Sequence, residues 1–284
     1  MNREDLDYCA GQVREGDPDR FATAMLAPPE GRARLMALYA FNLEIARLRE
    51  SVSDILLGEI RLQWWRDALA ECRAGTPRRH QVVHPLSHAI AEAALPDGPF
   101  LEAIDARARD LDETPPQDDA ALAAYIDATG GAIGELAVRC LVGPEATEAD
   151  IDAGRAAGRA WGWVGLVRGL HVHRRQGRQT VPADRLRVAP TLADDIETAT
   201  ASDAVRDWTR VLLERGREET AVVLALKGQV AKAALPALAP IRLARRYDRG
   251  IAVNGYDPFQ VALVQMGQAR RAASLLPLAL FGRL

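Results

Sequence analysis

The chain is poor in cysteine: Cys9, Cys72 and Cys140 are the three in 284 residues, and they stand far apart. An odd, scattered set excludes a disulfide framework and the paired ligands of a structural zinc site, and it fits a reducing compartment. An excess of basic charge is missing too. The 36 basic and 39 acidic side chains leave a formal net charge of −3, so no overall field exists to hold nucleic acid. No nucleic-acid partner is expected. No apolar run reaches the ~18 residues of a membrane-spanning helix. Met1 to Asp7 is acidic where a secretory signal is basic and then apolar. The expectation is a cytoplasmic protein. Alternating β-branched runs are lacking, as are nucleophile-elbow, P-loop and HExxH patterns, so neither a sheet nor a common hydrolase site is indicated.

What is present is helix-forming sequence, rich in alanine, leucine, arginine and glutamate, with 48% hydrophobic and 26% charged residues. It predicts one all-α domain over residues 1–284. Apolar positions 35, 38, 39, 41, 45, 48 and 52 form one stripe of a helix from Arg34 to Val52. Gly58 opens a second helix with Ile60, Trp64 and Leu69 on or near one face, and Gly75-Thr76-Pro77 stops it, which together suggests a helical hairpin. Trp64 and Trp65 are adjacent and must face different ways, one to the core and the other toward a partner. Further helices are predicted over 86–95, 99–111, 118–142, 147–174, 203–228, 235–251 and 258–275, with proline-rich connections around Pro182 and Pro190. Glycines at helical spacing (Gly130, Gly131 and Gly134, then Gly158, Gly162, Gly165 and Gly169) cost helix stability and therefore need a reason, either close helix approach or room for a ligand.

Among candidate chemical groups, His80, His84 and His88 recur every four residues, but Pro85 starts a helix after His84, so the rings diverge and face solvent rather than a metal. His171 and His173 lie in a basic cluster with Arg168, Arg175 and Arg178 at a helix end. There the cations either complement the helix dipole or supply donors to a phosphate-like anion. Residues 270–281 form a short apolar stretch behind two arginines that either docks on the fold or meets a membrane interface without spanning it.

The segments Asp19-Arg20-Phe21 to Pro28, Arg34 to Glu44 with Tyr39, Phe41 and Asn42, and Arg61-Leu-Gln-Trp64-Trp65-Arg66 resemble the squalene/phytoene synthase family in order and spacing. Tyr125 with Gly130, Gly131 and Gly134, and Arg174 to Arg178 followed by Val181-Pro182, extend the resemblance over roughly residues 15–185. It implies an isoprenoid-synthase-like helical bundle around a central cavity. The patterns Phe41-Asn42-Leu-Glu44, Ser51 to Asp54, Gly58 to Arg66 and Ala108 to Asp112 are similar to one branch of the family, which includes a mitochondrial complex I assembly factor and its bacterial relatives.

Synthases of the family carry two aspartate-rich motifs whose carboxylates hold Mg²⁺ against substrate diphosphate. Here the first aligns with Ala46-Arg47-Leu48-Arg49-Glu50 and the second with Gly169-Leu170-His171-Val172-His173, where neither aspartate is kept. Glu50 and Asp54 form a weak candidate metal pair one turn along. The resemblance offers Arg34, Tyr39, Arg47, Arg168, His171, His173, Arg175 and Arg178 as cavity or anion-binding candidates, with Tyr39, Phe41, Trp161 and Trp163 as aromatic lining. Three readings follow. The first is a degenerate family member acting in respiratory complex I assembly, with respiratory subunits as partners and peripheral contact with the inner membrane. The second is a Mg²⁺-dependent enzyme condensing two prenyl diphosphates head to head, and the third is a binding protein for an isoprenoid or phospholipid.

Overall fold

The computed structural model describes residues 3–51, 54–112, 114–260 and 266–284. Its N-terminal half contains α1 (Arg3–Gly16), α2 (Pro18–Ala24), α3 (Pro29–Ala46), α4 (Leu48–Ser51), α5 (Ile55–Arg73), α6 (Val83–Glu92), α7 (Asp97–Arg107), α8 (Asp119–Ile126) and α9 (Ala132–Val142). The long α10 (Glu148–Arg175) leads to α11 (Ala183–Val188), α12 (Leu192–Glu197), α13 (Asp203–Leu226), α14 (Leu235–Leu238), α15 (Pro240–Val253) and α16 (Gln268–Phe281). Among the described residues there is no strand, and no helix is long and apolar enough to cross a membrane.

The 28 residues of α10 rise roughly 42 Å and form the spine of the bundle. Thr147 and Asp150 start this helix with a reciprocal capping box, and Asp150 also accepts a hydrogen bond from the backbone of Ala231 at 2.7 Å. Ala153, Ala156, Ala157 and Ala160 join a core built mainly on α1, α3, α5, α6, α7 and α9. The next turns, from Trp161 to Leu170, join a second cluster with α12, α13, α15 and α16.

Glycine decides how closely α10 is approached. A methyl group on Gly134 would overlap the carbonyl oxygen of Gly154, and one on Gly158 would overlap that of Gly130. Backbone therefore lies on backbone, which no residue with a Cβ permits. Between α8 and α9 the chain takes a single π-helical turn, Asp127–Gly131, and this turn carries Gly130 onto α10. Asp127 braces it, with Arg155 at 2.6 Å and Arg159 at 2.9 Å. Farther along α10 the glycines have another use: a methyl group on Gly165 would meet nothing within 4 Å.

Several expectations need correction. The predicted 34–52 helix starts earlier, at Pro29, and breaks at Arg47; Val52 lies outside the described residues. The helical hairpin is not formed along its length: α3 packs mainly on α1, α6 and α9, and α5 on α6 and α7, although Phe41 and Trp65 meet edge to face at 5.0 Å. Ile60 is exposed, because α5 turns Gly58, Leu62, Trp65 and Leu69 inward and seats Gly58 on Leu111. Trp64 is half-buried beneath Arg78 and beside His80, so its free face is covered from within the chain. Helix α6 starts at Val83 rather than Pro85, since proline is tolerated in a first turn whose N–H groups lack helical partners. His80 packs on Trp64 and Trp65 instead of facing solvent, His84 turns toward Asp5 and His88 is exposed. The proline-rich connection near Pro182 and Pro190 holds α11 and α12, each of six residues. The predicted 258–275 helix falls partly on 261–265, outside the described residues, and the helix found beyond it is α16.

The two kinds of glycine separate in a stability measurement. Gly134→Ala is expected to cost at least ~2 kcal/mol, because the clash is with backbone and cannot relax by rotamer change. Gly165→Ala is expected to be neutral or stabilising by up to ~1 kcal/mol through helix propensity. Urea unfolding of both variants checks this, and equal effects would refute the division.

Candidate functional site

A cavity of about 370 Å³ opens between the ends of α1, α3 and α7, the α8–π turn and the second half of α10. Its wall carries five arginines (Arg20, Arg47, Arg107, Arg168 and Arg178) against three carboxylates (Asp17, Asp19 and Glu50). The floor is made by Tyr125, Ile126, Thr129, Gly130, Trp161, Gly162 and Gly165. The bare backbone of Gly165 leaves space on α10, and α8 and the π turn contribute Tyr125 and Thr129 to the lining.

Behind the cavity lies a closed polar network. Asp110, almost fully buried, accepts hydrogen bonds from Tyr125 Oη at 2.7 Å, Arg178 Nη2 at 2.8 Å and Arg107 Nη1 at 3.0 Å. The Tyr125 oxygen in turn accepts from Arg107 at 2.8 Å and Arg178 at 2.9 Å. Burial alone would raise the Asp110 carboxyl, but the two guanidinium groups outweigh it and hold the carboxyl below its ordinary range. Burial, reinforced by Asp110, pushes the Tyr125 phenol up, so it stays protonated and donates.

A second buried carboxylate, Asp19 on α2, joins the two ends of the fold. It accepts from Arg271 Nε at 2.6 Å and from Tyr247 Oη at 2.8 Å, and Arg168 lies 3.2 Å away. The Arg168 guanidinium also rests over the Tyr247 ring at 4.0 Å. Asp17 caps α2 by accepting from the Arg20 backbone at 2.9 Å. Glu50 accepts from Gln176 at 3.1 Å. Each acid of the wall thus has a structural partner.

The sequence candidates divide accordingly. Arg47, Arg168, His173, Arg178 and Glu50 line the cavity. Tyr39 is buried one layer below, under Arg20. Arg34 lies elsewhere, donating to the Cys140 carbonyl at 2.7 Å and facing Glu92 at 3.4 Å. His171 turns away toward the carbonyl of Ile196 and the ring of Phe259, and Arg175 is exposed outside the cavity. Asp54 is the N-cap of α5, accepting from the Leu56 backbone at 2.8 Å, and it is not among the residues lining the cavity with Glu50. Trp161 lines the cavity; Phe41 is core, meeting Trp65 and Phe100 edge to face, and Trp163 is buried outside the lining. Residues not among the candidates are Asp17, Asp19, Arg20, Asn42, Arg107, Asp110 and Tyr125; most of them lie within the segments that carried the resemblance, which was the available signal.

The donor set does not suit Mg²⁺, which takes hard oxygen ligands. One side of the cavity presents Arg47 and a partnered Glu50, and the other presents His173. Among the described residues no three His, Cys, Asp or Glu side chains group as metal ligands. Arg178 and Arg168 are committed to buried carboxylates, whereas no carboxylate pairs with Arg47 among the described residues. What the arrangement can do is bind an anion through guanidinium groups.

His173 is held down to about 3, first by burial and then by the Arg178 charge, so its imidazole is neutral, and its Nδ1 has no hydrogen-bond partner. An unfolded imidazole titrates near 6.5; between that value and the folded one the unfolded chain binds the extra proton, and stability falls as pH drops through the window. The contribution of Asp110 stays until pH falls below the ordinary carboxyl value of 3.8. His173→Gln is therefore expected to lose about 1–2 kcal/mol less stability than the parent between pH 7 and pH 4.5. Urea unfolding at the two pH values measures it, and equal losses would mean that the folded imidazole takes up its proton over the same range as the unfolded one.

Comparison with known proteins places this geometry. The family model for squalene/phytoene synthase matches residues 13–273. The chain is 25% identical over 274 residues to bovine (Bos taurus) "NADH dehydrogenase (ubiquinone) complex I, assembly factor 6", covering 96% of this chain and 80% of the relative. It is also 25% identical to chloroplastic phytoene synthase 1 of Arabidopsis thaliana, covering 97% of this chain and 66% of that protein. In three dimensions it superposes on a ligand-bound dehydrosqualene synthase with a TM-score of 0.83 at 15% identity, over 96% of this chain and 95% of the other, so the fold is that of the isoprenoid synthases. With its family model matched over nearly the whole length, the chain belongs to the squalene/phytoene synthase family.

Proposed function

We propose that this protein keeps the family's ligand cavity without its Mg²⁺-dependent condensation, and that it acts in the assembly of respiratory complex I. The observation that carries the reading is the cavity wall itself: Arg47 and a neutral His173 stand where the chemistry needs metal-holding carboxylates, and every acid present is engaged in the fold. Head-to-head condensation requires the charge of two diphosphates to be neutralised as a leaving group departs. A single guanidinium-lined wall holds one such anion directly. The ligand suited to it is a phosphorylated isoprenoid or lipid, its apolar part toward Trp161 and the glycines of α10. Relatives named as complex I assembly factors, matching over nearly the whole chain, support the assembly role and respiratory subunits as partners.

Calorimetric titration with a non-hydrolysable farnesyl or geranylgeranyl diphosphate analogue tests the cavity. Binding is expected to be indifferent to Mg²⁺, and Arg47→Ala is expected to weaken it roughly tenfold or more, as for the loss of a charge-assisted hydrogen bond. In a host lacking the chain, native gels are expected to show less assembled complex I, restored by Glu50→Ala as fully as by the parent. Binding or turnover that appears only with Mg²⁺ would instead establish the condensing enzyme.

A further inference from the structure

We propose that the face formed by α15 and α16 docks on a bilayer containing anionic phospholipid, with headgroup phosphates among its arginines and the outer side of α16 set into the interface. Between the two helices lies a groove of about 310 Å³ lined by Arg242, Arg245, Arg246, Arg249 and Arg270, with Ala273 and Ser274 and no carboxylate. Arg242 is spent on the fold, donating to the carbonyls of Ser274 at 2.6 Å and Arg283 at 2.9 Å. The other four are exposed, and no carboxylate pairs with them among the described residues. The acid within α15, Asp248, is taken by Arg217 at 2.7 Å, and no acidic residue occurs from Gln268 to the end of the sequence. In a chain whose net charge is −3, this is a local concentration of cations. Such crowding is unfavourable until a polyanion relieves it.

The outer side of α16 is apolar. Arg271, Leu275 and Leu278 point inward, and the buried Arg271–Asp19 pair fixes the register of α16. That register leaves Leu276, Leu280 and Phe281 outward, at 53%, 63% and 66% exposure. Beyond the groove, Phe281 borders a second basic hollow with Lys227, Lys232 and Arg283. An apolar helix side flanked by cations on both edges is what an interfacial helix presents to lipid: the side chains enter the acyl boundary and the guanidinium groups remain at phosphate depth. The surface is separate from the cavity, so it stands whether or not the cavity binds a prenyl ligand.

Co-sedimentation of the full chain with vesicles tests it, using phosphatidylcholine alone and phosphatidylcholine with a third of phosphatidylglycerol. Binding is expected only to the anionic vesicles and is expected to weaken with salt. Combined Arg245→Glu, Arg249→Glu and Arg270→Glu is expected to lower it by roughly 100-fold, since each arginine near an anionic surface contributes about a factor of five. Leu280→Ser with Phe281→Ser is expected to lower it at least ~10-fold through lost apolar burial. All five positions are exposed, and thermal melts confirm that the variants fold. Equal binding to neutral vesicles, or either variant binding like the parent, overturns the proposal. Retention on a polyglutamate resin with no vesicle binding also overturns it and assigns the face to an acidic protein.

Discussion

The contact of bare backbone between the π turn and α10 is the constraint on which the rest of the molecule depends. Gly130 and Gly134 meet Gly154 and Gly158 with no side chain between them, so the two segments approach as closely as main chains can. Once that distance is set, the position of everything C-terminal on α10 follows. One turn past Gly158 the helix still carries glycine, where Gly162 faces the Ile126 side chain, and a further turn on Gly165 has open space beside it. Contact and cavity are consequences of the same spacing read at different depths along one helix.

Around that scaffold, exposed ion pairs such as Arg66–Asp105 and Arg210–Asp207 lie on the surface, and two carboxylates are buried within charge clusters. Asp110 is satisfied by a phenol and two guanidinium groups, and Asp19 by a phenol and two more. Breaking such a cluster from one side strands a buried charge, which is far more costly than losing an exposed ion pair. The clusters also link distant parts of the chain: Asp19 ties α2 to α15, α10 and α16, so the C-terminal helix is held by the same carboxylate that walls the cavity. Arg168 and Arg178 therefore serve the fold first, whereas among the described residues no carboxylate pairs with Arg47.

This distribution of roles explains which parts of the site were legible. Helix-forming composition, the glycine spacing and the segments around Asp19, Tyr125 and Arg178 pointed to the fold and to the region of the cavity. The individual roles were less accessible. Arg34 and Arg168 look alike in sequence, yet one donates to a backbone carbonyl behind α9 and the other reaches the cavity. His171 and His173, two residues apart on a helix, point about 160° apart at ~100° per residue, and the structure turns only His173 inward. Glu50 and Asp54 have helical spacing, but Asp54 takes an extended backbone as the cap of the next helix.

The amino-acid sequence by itself determined the all-α class and the positions where glycine permits close approach. These are properties of composition and local spacing. Tertiary structure alone decided which arginines are consumed by buried carboxylates and which remain for a ligand, because that depends on partners distant in sequence, such as Asp110 for Arg178 and Asp19 for Arg271. It also decided how residues 270–281 are shared between core and surface. One side of α16 docks through Arg271, Leu275 and Leu278, and the other stays bare, because a helix has more faces than a single neighbouring core can cover.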